Sequence, residues 1–313
     1  MPSPAERGTA APLPGLLAVV GDLVEDIVVW AGEPVRAATD TAAQVFRARG
    51  GSGANVAALA AAGLPTRFIG RVGADAAGAA LIAELAAHGV DVRVQRTGRT
   101  GTVVLLIDSD GERTMFPDRG ASALLEGVDP AWLDGVAWLH VPAYGFEREP
   151  MRGELVRLVA QARATGARVS LDASSTGLLA GIGIEVALAL MRQIRPDVLF
   201  ANEAEAELLG LAGGGGEAAA SVARTVVVKH GPLPTDVVEA GELVARVDVE
   251  PVTGIRDLTG AGDAFAAGFL TATLRGADPA TACLEGHALA ASVLTSPGAH
   301  IVPGPPPPPR SST

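Results

Sequence analysis

Apolar residues along this chain come in short runs that alternate with stretches of helical period. Leu16–Val20, Thr66–Gly70, Val136–Val141, Arg168–Asp172, Val198–Ala201 and Thr225–Lys229 are compact runs of strand length. Between and after them lie helical patterns at Ala54–Ala62, Ala76–His88, Met151–Ala164, Ile184–Ile194, Glu203–Leu209, Ala261–Arg275 and Pro279–Leu294. This alternation predicts an α/β fold, with a mostly parallel central sheet flanked by helices. Two places break the rhythm, at about residues 27–49 and 100–118. Ile27–Arg49 holds strand-like pieces and no helix, and Thr100–Phe116 reads as a hairpin turning at Asp108–Gly111, where Asp110-Gly111 is a turn signal. The two insertions either pair into a small β lid over a site or are surface hairpins without a role. Leu211–Glu217, LAGGGGE, reads as a flexible surface loop.

The 313 residues suffice for one large domain, placed at residues 16–302. Residues 1–15 carry no signal-peptide pattern and read as a disordered tail. Residues 303–313, PGPPPPPRSST, read as a Pro-rich disordered tail or a proline-rich ligand. With 48% hydrophobic and 4% aromatic residues, the interior must be built mainly from Ala, Val and Leu. The net charge of -11 argues against nucleic acid as a partner. No apolar stretch is long enough for a membrane span. The single cysteine, Cys283, excludes an intrachain disulfide and a zinc cluster and fits a reducing cytoplasm. Lys229 is the only lysine, which excludes a Walker-type phosphate loop, since that motif carries its own Lys after the glycines.

Two glycine segments carry the candidate chemistry. In Asp257–Leu270, DLTGAGDAFAAGFL, the sequence Gly260-Ala261-Gly262 runs straight into a helical pattern. Unpaired amides at such a helix start make an anion hole for a phosphoryl group in transit. Asp263, in the first turn, is placed to take a proton from an attacking hydroxyl; alternatively it is an acid favoured by the helix dipole alone. In Arg49–Asp75, RGGSGANVAALAAAGLPTRFIGRVGAD, the glycines Gly50, Gly51 and Gly53 precede a helix that holds Asn55 near its start. Asn55 offers both donors and acceptors to sugar hydroxyls. A dinucleotide fingerprint fails there, because Val56 stands where the third glycine belongs.

From about Leu16 to Val302 the chain resembles the ribokinase-like, PfkB-type carbohydrate kinases, with both glycine signatures in order. The resemblance implies a small β lid over the sugar and transfer of the γ-phosphoryl group of ATP, with Mg²⁺, to a sugar hydroxyl. It makes Asp263 the catalytic base and Gly260, Ala261 and Gly262 the anion hole. Asp26, Gly50, Gly51 and Asn55 become substrate contacts. Asn202 and Glu205, in ANEAE, resemble an N-x-x-E motif that orders magnesium and phosphate through water; alone they pass as a helix cap and a solvated face. Asp257 and Thr259 align with a loop that binds a monovalent cation, such as K⁺, in some members. His287 matches a position lining the adenine pocket, and alone reads as a half-buried structural histidine.

Arg119, after the second lid strand, meets a substrate oxygen or the γ-phosphate, or lies on the surface. Asp172, at a strand end, ranks below these residues. Departures from the family pattern include Pro234, standing where a nucleotide-loop glycine is usual after Gly231, and Leu258 in the second signature. Lys229 either supplies the nucleotide loop with a charge or points to solvent. Val24 stands where ribokinase carries a polar sugar contact, which argues against ribose. The acceptor is then a sugar or a nucleoside such as pseudouridine. A weakly catalytic sensing protein and a dehydrogenase are the readings of other classes. A homodimer through the β lid is the expected assembly.

Overall fold

The computed structural model describes residues 15–108, 113–214, 216–255 and 258–295. Residues 1–14, the Asp110-Gly111 turn, Asp257 and the Pro-rich tail lie outside the described residues.

The chain opens with β1 (Leu16–Val20), then β2 (Val24–Ala31), β3 (Ala43–Gly50) and helix α1 (Ser52–Ala61). Next come β4 (Thr66–Val72), α2 (Ala76–Ala87), β5 (Asp91–Arg96), β6 (Thr100–Ile107) and β7 (Arg113–Gly120). The middle of the chain holds β8 (Val136–Pro142), α3 (Met151–Ala164), β9 (Arg168–Asp172), α4 (Thr176–Ile182) and α5 (Ile184–Ile194). After β10 (Val198–Asn202), α6 (Glu203–Leu208) and α7 (Gly216–Val222) come β11 (Thr225–His230), β12 (Leu233–Glu239) and β13 (Glu242–Val247). Helices α8 (Ala261–Leu274) and α9 (Pro279–Leu294) close the order.

The expected α/β fold is present. A nine-stranded sheet runs β13-β12-β11-β10-β9-β8-β1-β4-β5. Every pair from β11 across to β5 is parallel, and β12 and β13 add an antiparallel edge. Strand side chains alternate between two cores, as a sheet covered on both faces requires. Ala18 and Val20 join Leu155, Leu179, Met191 and Val222 on one side. Leu17 and Val19 join Val56, Leu85, Phe269 and Cys283 on the other. Burial pushes the Cys283 thiol up to about 12, so it serves as a small apolar residue.

The two strand-rich insertions form one separate sheet of order β3-β2-β6-β7. β2 pairs antiparallel with β3 and parallel with β6, which pairs antiparallel with β7. Three other places were not legible in the pattern. β5 reads DVRVQR, too charged for an apolar run, yet it lies beside β4 with Arg67 Nε 2.7 Å from Asp91 Oδ2. The β12–β13 hairpin turns at Ala240-Gly241, both at positive φ, without the usual Asn or Asp signal. The expected loop at Leu211–Glu217 instead holds a 3₁₀ turn at Ala212–Gly214 and the start of α7 at Gly216.

Helices α8 and α9 pack closely because glycines stand at their contact. A Cβ at Gly268 would lie 2.6 Å from the Glu285 carbonyl oxygen, and one at Gly286 would lie 2.8 Å from Phe265. Neither obstacle is a flexible side-chain end on a free surface, so the helices themselves must separate to admit a methyl group. Gly268→Ala is therefore expected to lower unfolding free energy by about 1–3 kcal/mol. Gly181→Ala in α4, where a Cβ meets nothing within 4 Å, should leave stability unchanged or raise it. Chemical denaturation of both variants checks the contrast.

Candidate active site

The ends of β1, β8, β9, β10 and β11 meet the starts of α1 and α8 at one cleft. Asp263 stands in the first turn of α8, which begins directly after Gly260, whose φ of 77° a side-chain-bearing residue adopts at a cost. Two residues of the first glycine segment hold its carboxylate. Ser52 Oγ donates to Oδ1 at 2.6 Å and Asn55 Nδ2 donates to Oδ2 at 2.9 Å. Asn55 Oδ1 in turn accepts from Arg49 Nη1 at 2.9 Å, and Arg49 Nε lies 3.4 Å from Glu84. Burial pushes Asp263 up to about 6, against the pull of the Ser52 and Asn55 hydrogen bonds. Asn55 thus spends hydrogen bonds on positioning Asp263. Ser52 and Arg49 were not singled out in the sequence, although both lie inside the RGGSGAN segment.

Lys229, at the end of β11, points inward and not to solvent. Its Nζ lies 3.3 Å from Asp172 Oδ2, and a Cβ at Gly262 would lie 3.5 Å from the same nitrogen. The ammonium also approaches the rings of Phe265 and Phe200, at 5.9 and 6.0 Å from their centroids. Burial raises the Asp172 pKa, but Lys229, His140 and the Ser174 hydrogen bonds outweigh it and hold the carboxyl below its usual range. Beneath them His140, wholly buried, is pushed down to about 4 by burial and stays neutral. Asp172 thus belongs to the cleft more firmly than its place in the sequence suggested.

Asn202 and Glu205 form a reciprocal capping box at the start of α6. Asn202 Oδ1 accepts from Glu205 N at 2.9 Å, and Glu205 Oε2 accepts from Asn202 N at 2.9 Å. Glu205 Oε1 accepts from Ser175 N at 2.8 Å. The cap reading holds, but the solvated-face reading does not, since Glu205 is 4% exposed. Ser174 and Ser175, between Asp172 and α4, sit at φ of 44° and 90°, strained values for residues with side chains.

Asp26 lies on β2 at the base of the small sheet. Burial pushes its carboxyl up to about 7; Arg49 opposes this and the Asp263 charge adds to it. Among the described residues no side-chain hydrogen bond reaches this carboxylate. A Cβ at Gly50 would overlap this carboxylate, and one at Gly51, with φ of 101°, would overlap the Asp22 carbonyl. Both glycines therefore make room for acidic residues of the cleft.

Arg119 is neither on the surface nor open to a substrate. Nε and Nη2 donate to Asp22 at 2.7 and 2.8 Å, and Nη2 also reaches Met151 Sδ at 3.3 Å. Nη1 donates to the Tyr144 carbonyl and Glu147, at 2.8 and 2.9 Å. All five donors of a guanidinium are thereby committed to the protein.

Gly231, exposed with φ of 62°, turns β11 into β12 together with Pro232, and His230 pairs with Leu233. Pro234, expected in that loop, lies within β12 instead. His287 is turned against Thr235 Oγ1, 2.8 Å from Nε2, and against the Phe265 ring, with centroids 5.3 Å apart. Thr259 Oγ1 accepts from Arg113 Nη1 of β7 at 2.7 Å, which joins the small sheet to the loop before α8.

Among the described residues there is no group of three or more His, Cys, Asp and Glu side chains able to hold a metal by itself. Magnesium bound with a polyphosphate needs only one or two carboxylates besides phosphate oxygens and water. Asp172 and Glu205 fit that lesser requirement, Glu205 through water because both its oxygens already accept backbone amides. No single helix among the described residues is long and apolar enough to cross a membrane.

A sheet ending against a buried carboxylate at a helix start, with a small second sheet tied to the same loop, is the ribokinase-like arrangement. The chain belongs to the pfkB family of carbohydrate kinases, whose profile it matches over residues 15–304. It is 31% identical over 271 residues to a fructokinase of Klebsiella pneumoniae, covering 82% of this chain and 83% of that one. It is 33% identical over 273 residues to an ATP-dependent ribose-1-phosphate kinase of Halopiger xanaduensis, covering 81% of this chain and 83% of that one. In fold it is similar to an adenosine kinase from Sinorhizobium meliloti, with a TM-score of 0.80 at 23% identity over 92% of this chain and 97% of that one. Members of this family are phosphotransferases that use ATP, generally with Mg²⁺.

The raised acid at Asp26 sets a pH dependence of stability. A carboxyl that titrates near 7 folded and near 3.8 unfolded binds protons more tightly in the native state. Its contribution therefore turns unfavourable as pH rises through that window, and the cost is complete above about 7. Asp26→Asn should stabilise the ligand-free protein at pH 8 by on the order of a few kcal/mol and far less at pH 4. Urea denaturation at the two pH values measures this difference.

Proposed function

We propose that this protein transfers the γ-phosphoryl group of ATP to a hydroxyl of a sugar, or of the sugar part of a nucleoside, with Asp263 as the base. The observation that carries this reading is the Asp263 carboxylate, buried at the start of α8 and oriented on both oxygens by Ser52 and Asn55. A carboxyl near 6 is largely ionised at neutral pH yet basic enough to take a proton from an attacking hydroxyl.

In this mechanism Asp26 accepts hydrogen bonds from the acceptor and sets its hydroxyl facing Asp263. As the hydroxyl proton passes to Asp263, the oxygen bonds to the γ-phosphorus. The bond from that phosphorus to the β–γ bridging oxygen breaks, and ADP leaves with its electron pair. Amides of Gly260 and Gly262 and the Lys229 ammonium face the moving phosphoryl oxygens, whereas the Ala261 amide expected there is turned to the Leu258 carbonyl at 3.4 Å. Magnesium, held with the polyphosphate by Asp172 and by Glu205 through water, would neutralise phosphate charge. Gly231 and His287 flank the nucleotide in this reading. The small sheet acts as the lid, and its outward face, which bears Val45 and Phe116, is given to a second copy of the chain. A monovalent cation at Thr259 gains no support, because its hydroxyl accepts from Arg113 and Asp257 lies outside the described residues.

Asp263→Asn should fold normally and lose turnover by ~10²–10⁴-fold. In the parent, kcat/KM should rise with pH through an ionisation near 6. ADP release followed over a pH series tests both, and near-parental turnover in the variant would remove Asp263 from the chemistry. Lys229→Met should raise the KM for ATP by roughly tenfold, the scale of one charge-assisted contact, while the acceptor KM stays within about twofold. Initial rates with each substrate varied in turn check this split.

A further inference from the structure

Asn55 stands between two groups that make opposite demands on a carboxamide. An ionised carboxylate such as Asp263 can only accept a hydrogen bond, and a guanidinium such as Arg49 can only donate one. A single orientation meets both demands, with Nδ2 on Asp263 Oδ2 and Oδ1 on Arg49 Nη1, each at 2.9 Å. Among the described residues the Arg49 guanidinium is the donor that holds Oδ1. Without it the amide is free to turn. The turned amide would set its oxygen against the carboxylate and take the Nδ2 donor away from Oδ2.

The placing of Arg49 marks it off from an arginine that serves its strand alone. Arg47, two positions earlier on β3, pairs with Glu25 of β2, and its side chain is 70% exposed. Arg49 is 2% exposed. A guanidinium so buried is destabilising unless opposite charges and hydrogen bonds hold it. It lies where β3 gives way to α1, with Glu84 of α2 at 3.4 Å from Nε. The charges of Asp26 and Asp263 act on it as well. Asp263 itself is faced by Ser52 and Asn55 of α1, Asp26 of β2, Asp172 and Lys229 at the ends of β9 and β11, and Tyr144 after β8. Of the two cations near it, Lys229 is engaged by Asp172, and Arg49 stands on the side of Asp26.

We infer that Arg49 is a positioning residue for the transfer: its guanidinium fixes which end of Asn55 faces Asp263, and so the aim of the base. Arg49 acts through Asn55 and does not itself meet the acceptor. Its positive charge works in the same sense, by favouring the ionised form of the base. A guanidinium that merely joined β3 to α2 through Glu84 would have no such effect on proton transfer. This role rests on the reading of Asp263 as the base.

ADP release by the full chain is followed with Mg·ATP and the fastest of fructose, ribose 1-phosphate and adenosine as acceptor. Arg49→Met should lower kcat by ~10–100-fold, the scale of one charge-assisted hydrogen bond, with the KM for ATP within about twofold. The ionisation near 6 should move up by about one pH unit. It is read from kcat/KM or, without any acceptor, from the Asp263 carboxyl by carbon NMR of the ligand-free chain. Asn55→Ala should be comparably slow, and adding Arg49→Met to it should lose at most a further ~3-fold, because the two residues act as one unit. Should Arg49→Met not fold, Arg49→Lys takes its place in the same cycle. Glu84→Gln should keep kcat within about twofold of the parent. Losses that multiply in the double variant, an ionisation left in place, or a Glu84→Gln variant as slow as Arg49→Met would each overturn the role of Arg49 and leave the base reading standing. Near-parental turnover in Asp263→Asn would overturn the base reading itself, and the role of Arg49 with it.

Discussion

The tie between Asp263 and the start of α1 is the constraint on which the cleft depends. Ser52 and Asn55 reach it from more than 200 positions earlier in the chain, so the acid is held only when both ends of the fold have docked. That docking needs close backbone approach as well as hydrogen bonds. Gly21 at the end of β1 lies against Gly53 of α1, where an added Cβ would come within 3.2 Å of the neighbouring Cα. The same helix packs beside α8, so the segment that orients the acid also helps bury it. Burial then raises its proton affinity, and the two hydrogen bonds limit the rise.

Charge in the cleft is arranged in pairs of opposite consequence. The Asp263 charge adds to the reluctance of Asp26 to ionise, as the Asp172 charge adds to that of Asp263, whereas Asp172 itself is kept ionised by Lys229. Three acidic groups within one cleft thus differ in proton affinity because their neighbours differ, as in other sites that divide acid and base tasks among like residues. The strained Ser174 and Ser175 lie where Asp172, Glu205 and α4 meet. Strain at such a junction is held in place by the surrounding bonds: the Ser175 amide donates to Glu205, and the Leu178 amide donates to the Ser175 hydroxyl.

Much of the fold was legible because the buried strands and helices carry periodic apolar patterns. Met151–Ala164, Ile184–Ile194 and Pro279–Leu294 have the bounds read from the sequence. What escaped was structure specified by partners. β5 becomes a strand by lying beside β4 despite its charges, and the β12–β13 hairpin turns on Ala240-Gly241 without a strong turn signal. In the cleft, residue types announced the acid and the glycines, but not who holds whom. Asn55 was read as a sugar contact and is engaged by Asp263 and Arg49. Arg119 was read as facing a substrate or solvent and is instead a clamp on Asp22. Pro234 drew attention as a loop residue because register cannot be read from one strand alone; the turn falls at Gly231-Pro232.

The solitary lysine gives the cleft a chemical address. Every other strong side-chain cation in the chain is an arginine, whose guanidinium resists acylation and stays protonated. Lys229 is the single side-chain amine, and it stands beside Gly262 with its charge shared with Asp172. An amine-selective acyl probe therefore has one internal target, and a polyphosphate seated on the Gly260 and Gly262 amides would shield it. Comparing the extent of acylation with and without ATP thus asks whether a nucleotide sits at Lys229, without any knowledge of the acceptor.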